Sequence, residues 1–134
     1  MKFIKERKKF KQQIQRFSSG AQRLATIIVV FLLACHTASC MWFYIAKMSE
    51  FSSQCWVVRY GFEDATSLEL YLAGIYFSIA TFTTVGYGDI AGRTIYEMVF
   101  SSGLMVFGVI SYSLLIGSLS SMIHSLDTAE KALH

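Results

Sequence analysis

Residues 83–89 read Thr-Thr-Val-Gly-Tyr-Gly-Asp, and the chemistry they offer lies in their main chain. Gly86 and Gly88 stand two apart, and glycine takes positive φ at little cost. When alternate residues adopt such angles, successive carbonyls point the same way and form a file of oxygen atoms. A metal cation that sheds its water needs a new ligand for every oxygen lost, and symmetric copies of such a loop supply rings of them along one axis. Thr84 adds a hydroxyl ring at the inner end. Val85 and Tyr87 face away from the axis, where they pack against the preceding helix and hold the ring diameter. Thr83 and Asp89 flank the file as support. The competing use of a Gly-x-Gly run is a phosphate cradle, which needs a strand before it and a helix N-terminus after it. Here a helix precedes the glycines. No nucleophile–base pair or carboxylate dyad stands out, and the pattern predicts no enzyme.

The elements that must position this loop are legible on either side of it. Thr66-Ser67-Leu68-Glu69 fits a capping box, with Thr66 as N-cap and Glu69 reaching back. The helix it opens ends directly in the glycine-rich run and is short for a full crossing, so a re-entrant half-helix over 66–83 is expected. Its negative C-terminal end then faces the ion path. Two stretches without charge, Leu24–Ala46 and Met98–Leu126, flank the hairpin. About 20 apolar residues cross the hydrocarbon core as a helix, so each is long enough. Neither has the short apolar core and small-residue cleavage site of a signal peptide. Two buried helices of a soluble fold would leave too little of a 134-residue chain to cover them.

Composition agrees: 54% of residues are hydrophobic, 16% charged, and proline is absent. Eight of the twelve basic residues precede residue 24, against Glu6 alone among acids there. Positive residues favour the cytoplasmic side, which places both termini inside and residues 47–97 outside or dipping into the membrane. The expected divisions are a basic interfacial linker helix (1–21), a pore domain (22–124) and a cytoplasmic tail (125–134). Within the pore domain they are an outer helix (22–47), turret (48–65), pore helix (66–83), filter (84–88) and inner helix (94–124). Phe3, Phe10, Ile14 and Phe17 share one face of the linker, which suits an interface rich in anionic lipid. Lys2, Lys5, Lys8 and Lys11 have the spacing of a voltage sensor, but the residues between them are too polar for one. Ser18-Ser19-Gly20 is expected to break the helix. Trp42, Phe43 and Tyr44 are expected at the outer headgroup layer.

Seven residues in this register, between helix, filter and helix, resemble the potassium-channel family over nearly the whole chain. The stretch Tyr71–Thr84 resembles the pore helix of the ether-à-go-go-like and cyclic-nucleotide-gated-like six-helix branch, and His36-x-x-x-Cys40 is similar to a pattern in that branch's first pore helix. The resemblance implies an all-α membrane protein: two transmembrane helices with a re-entrant pore helix and filter loop, in a four-fold homotetramer. It implies K+ held by the carbonyls of Thr84, Val85, Gly86 and Tyr87, as is known for filters of this type. K+ is the permeant ion, and no organic cofactor or nucleic acid is expected. The relatives carry a voltage sensor before the pore and a cyclic-nucleotide-binding homology domain after it. The sequence is therefore read as the pore of such a channel in the plasma membrane, with a natural two-helix channel as the alternative.

Departures from the family matter too. Some two-helix channels carry a glutamate nine positions before the filter aspartate, where this chain has Ala80, so Tyr76 becomes the candidate donor to Asp89. Hyperpolarisation-activated relatives lack the inner threonine and select weakly; Thr84 argues for potassium selectivity here. A weakly selective cation channel and a non-conducting modulatory subunit are the alternatives. Gly108 resembles the family's gating-hinge position, with close helix packing as an equal reading. Gly103 and Gly117 are read as packing residues. Tyr112 matches a cavity-lining aromatic. His36 and Cys40 lie one turn apart, as metal ligands could, but burial and hydrogen bonding are the expected use. Cys35 is expected to be reduced, and Cys55 to face the outer side.

Overall fold

The computed structural model describes residues 2–133; Met1 and His134, the outermost residues of the expected linker and tail, lie outside the described residues. Four helices account for its secondary structure: α1 (Lys2–Met48), α2 (Trp56–Arg59), α3 (Ser67–Phe82) and α4 (Ile95–Leu133). No strand occurs among the described residues. α1 and α4 are long and apolar enough to cross a bilayer, and only 17% and 11% of their most apolar windows are buried within the chain. A core helix of a soluble protein would hide that surface. This is an integral membrane protein. α3 has 16 residues, a rise of about 24 Å, against a hydrocarbon core of about 30 Å.

Two expected boundaries are corrected. The helix continues through Ser18-Ser19-Gly20 without a break. Serine costs only tenths of a kcal/mol and glycine about 1 kcal/mol in a helix interior, too little to stop one with strong formers on both sides. The Ser19 hydroxyl also donates to the Arg16 carbonyl at 2.9 Å, inside the helix. At the other end, the expected tail continues α4 as far as Leu133.

The chain forms two compact units, one from its two ends (up to Val30 and from Ser113), the other Phe31–Tyr112. In the first, Phe3, Phe10, Ile14 and Phe17 of α1 are all exposed. The second unit has two apolar clusters. One surrounds Trp42 with Ala46, Cys55, Trp56, Val57, Ala73 and Phe77; the other joins Cys35, Ala38 and Phe82.

Trp42 is the larger correction. Instead of offering its ring to the headgroup layer it is fully buried within the chain. Its indole stacks on Phe77 at 4.1 Å and lies near-parallel to Trp56 and Phe100 at 5.9 and 6.1 Å. One flat side chain thus fills the space shared by α1, α2, α3 and α4, and offset ring pairs of this kind add attraction beyond their buried area. Phe43 is half-buried and Tyr44 exposed. Where α1 meets α3, a Cβ on Gly74 would overlap the Ser39 hydroxyl, and that hydroxyl donates to the Tyr71 carbonyl at 3.3 Å.

Candidate ion-conduction site

α3 is built to present its C-terminal end. Its start carries the capping box: Thr66 accepts the Glu69 N–H, and the Glu69 carboxylate accepts the Thr66 N–H at 2.7 Å. The Thr66 backbone and hydroxyl bonds hold the Glu69 carboxyl below its usual range. Thr81 and Thr83 bond back to the carbonyls of Phe77 and Ile79 at 2.8 Å, within the helix. The chain then turns: Thr83 N–H donates to Ile79 O, Thr84 N–H to Thr81 O and Gly86 N–H to Ala80 O, at 2.9, 3.2 and 3.0 Å.

Beyond this turn the backbone alternates. Thr84, Gly86 and Gly88 have φ of 61°, 55° and 77°. The two glycines sit there cheaply. Thr84 does not: a β-branched residue at positive φ is an outlier that costs on the order of 1–3 kcal/mol. Residue type alone predicts positive φ at the two glycines but not at the threonine. Positive φ thus recurs at i, i+2 and i+4 along this loop. All five residues from Thr84 to Gly88 are exposed within the chain.

The far end of the loop is fastened by side chains. The Tyr76 hydroxyl donates to Asp89 Oδ2 at 2.5 Å, and the Ile90 N–H donates to Asp89 Oδ1 at 3.0 Å. The Tyr76 bond is the main reason that the Asp89 carboxyl sits below its usual range; partial desolvation opposes it and the Ile90 amide assists. Tyr87 lies parallel to Tyr76 at 6.4 Å, whereas Val85 is half-exposed.

Two side chains absent from the sequence reading complete the frame. The Tyr60 hydroxyl accepts the Ala91 N–H at 3.1 Å. Glu97, fully buried, accepts Arg93 N–H and Thr94 N–H on Oε2 at 2.9 and 3.2 Å, and Trp56 N–H on Oε1 at 3.0 Å. Thr94 returns the bond, its hydroxyl accepting the Glu97 N–H at 3.2 Å. Thr94-x-x-Glu97 is itself a capping-box signature, so the signal was present in the sequence.

Gly108 of α4 meets the end of α3: a Cβ there would lie 2.8 Å from Phe82 Cα and 3.2 Å from the carbonyl oxygens of Phe82 and Thr81. Gly103 and Gly117, expected to pack, have nothing in the chain within 4 Å of such a Cβ. Tyr112 is half-buried. His36 is exposed rather than buried; its Nδ1 pairs with the Tyr71 hydroxyl at 2.7 Å and its Nε2 lies 3.8 Å from Cys40 Sγ. Cys35, Cys40 and Cys55 are free thiols, with Cys35 and Cys55 buried and Cys40 exposed.

The ion transport protein family profile matches residues 5–131. The chain is 34% identical over 110 residues to "Potassium channel KAT6" of Oryza sativa subsp. japonica, covering 81% of this chain and 18% of that protein. It is 33% identical over 110 residues to "Potassium channel AKT2" of the same plant, covering 81% and 13%. To the human "Potassium/sodium hyperpolarization-activated cyclic nucleotide-gated channel 2" it is 26% identical over 114 residues, covering 85% and 13%. The chain spans less than a fifth of the length of each of these three relatives. Two long apolar helices bracketing a shorter one, matched over almost the full sequence, mean that the chain belongs to the ion transport protein family, as a pore domain of its six-helix potassium-channel branch.

Proposed function

We propose that four copies of this chain form a passive, potassium-selective pore, in which the carbonyls of Thr84, Val85, Gly86 and Tyr87 replace the water of a dehydrated K+. The observation that carries this reading is the alternation of positive φ at Thr84, Gly86 and Gly88. Such a run lines oxygens along one side of each loop, and the negative end of α3 adds a favourable field there. Thr83, Asp89 and Tyr76 support the file. Gly108 is the point where the inner helix bears on the end of the pore helix, so movement of one is felt by the other. Tyr112 lines the inner cavity. The basic face of residues 2–17 rests on anionic lipid of the cytoplasmic leaflet, with both termini on that side of the plasma membrane.

A weakly selective pore is the second reading, because one relative is named a potassium/sodium channel. Flux from liposomes containing the purified chain decides between them. The expected results are K+ efflux well above Na+ efflux, block by barium and four subunits per particle. Gly86→Ala is expected to abolish selective flux. A Cβ there meets nothing within 4 Å in the chain, so its cost is the backbone strain of about 1–2 kcal/mol imposed on each copy. Equal K+ and Na+ flux in the wild type, or wild-type selectivity in Gly86→Ala, overturns the assignment. Absence of any flux favours a non-conducting subunit.

A further inference from the structure

We infer that Tyr60 and Glu97 form a turret-borne clasp that positions the outer end of the filter. The inference rests on the reading of residues 84–88 as a potassium filter. These residues are exposed and turn back on α3 through the Gly86 amide, so the position of their outer end depends on the segment that follows. In that segment, the amide of Ala91 is held by Tyr60, and those of Arg93 and Thr94 by Glu97. Gly92 lies so close that a Cβ there would come within 2.9 Å of the Glu97 backbone.

The two capping boxes among the described residues show what is unusual. Glu69 caps α3 while exposed, and its side chain bonds only Thr66. Glu97 caps α4 while fully buried, and its second oxygen reaches 41 positions back to the Trp56 amide at the head of α2. Capping alone requires neither the burial, which costs a carboxylate its hydration, nor the third amide. One carboxylate therefore ties together the turret helix, the post-filter segment and the first turn of the inner helix. Tyr60, at the C-terminal end of the same turret helix, adds a second attachment. Loosening either lets residues 89–94 drift, and the filter follows.

Hydrogen exchange on the purified chain in lipid nanodiscs, in K+ and in Na+, tests this. Tyr60→Phe keeps the ring and removes only the hydroxyl, which accepts from the Ala91 N–H and donates to the Ala91 carbonyl. Glu97→Gln keeps the size but leaves one acceptor oxygen for three amides. In Na+, amides of residues 84–89 are expected to exchange about five- to tenfold faster in either variant than in the wild type, the worth of one net hydrogen bond. Raising K+ is expected to close the gap, because ions in the filter hold it from within. Acceleration confined to residues 91–94, with 84–89 at wild-type rates, overturns the clasp. The filter reading fails separately, if wild-type exchange at 84–88 is the same in K+ and Na+; the comparison in Na+ still decides the clasp. Should Glu97→Gln not assemble, Tyr60→Phe decides it.

Discussion

Gly108→Ala sets two physical effects against each other at one atom. Removing glycine from a helix interior gains about 1 kcal/mol of helix propensity. The new Cβ, however, would stand 2.8 Å from Phe82 Cα and 3.2 Å from two main-chain oxygens of α3. Carbon atoms in contact prefer about 3.5–4.0 Å, so α3 or α4 must yield by nearly an ångström. Main-chain atoms cannot rotate aside as a side chain can. Overpacking of this kind costs about 1–3 kcal/mol, and the net expectation is a loss of up to about 2 kcal/mol. Gly103→Ala, on the same helix with nothing in the chain within 4 Å, is expected to gain up to about 1 kcal/mol. Thermal unfolding followed by the fluorescence of Trp42 and Trp56, both buried in the same cluster, reads the difference. The two variants should move the midpoint in opposite directions, by a few degrees each. A Gly108→Ala protein that melts at or above the wild-type temperature refutes the packing argument and leaves a hinge as the reason for the glycine.

Trp42→Ala should cost about 3–5 kcal/mol, because the buried indole is stacked against three other rings; loss of the cooperative Trp56 fluorescence transition is the expected sign. Asp89 is held charged in the fold, its carboxyl lying below the usual range. Its contribution is therefore complete above about pH 4 and disappears as the pH falls further. Flux should be flat with external pH from neutrality to about pH 5 and fall only in stronger acid. Tyr76→Phe removes the donor, so its acid limb should begin at a higher pH; an unchanged limb argues against the pairing.

Much of the architecture is legible in local pattern. The charge-free runs mark both spans, Thr66 and Glu69 mark the start of α3, and the missing glutamate at Ala80 points to Tyr76 as the partner of Asp89. What escapes is what other elements decide. A tryptophan near the outer end of a span satisfies the rule for headgroup anchors equally well when α2, α3 and α4 close over it, as they do over Trp42. Ser18-Ser19-Gly20 reads as a stop only if small propensity penalties are allowed to outweigh the helix on both sides. Glu97 escapes because only its capping partner, Thr94, is local, whereas its burial depends on Trp56, far away in sequence. Backbone strain at Thr84 runs against residue preference, so no propensity rule could suggest it.

That strain has a practical side. A procedure that ranks substitutions by fold stability would favour glycine or asparagine in place of Thr84, since either relaxes a left-handed backbone. It would thereby delete the hydroxyl ring from the inner mouth of the proposed filter, giving a sturdier protein and a poorer judge of ions. In this loop, thermal robustness is the wrong quantity to optimise.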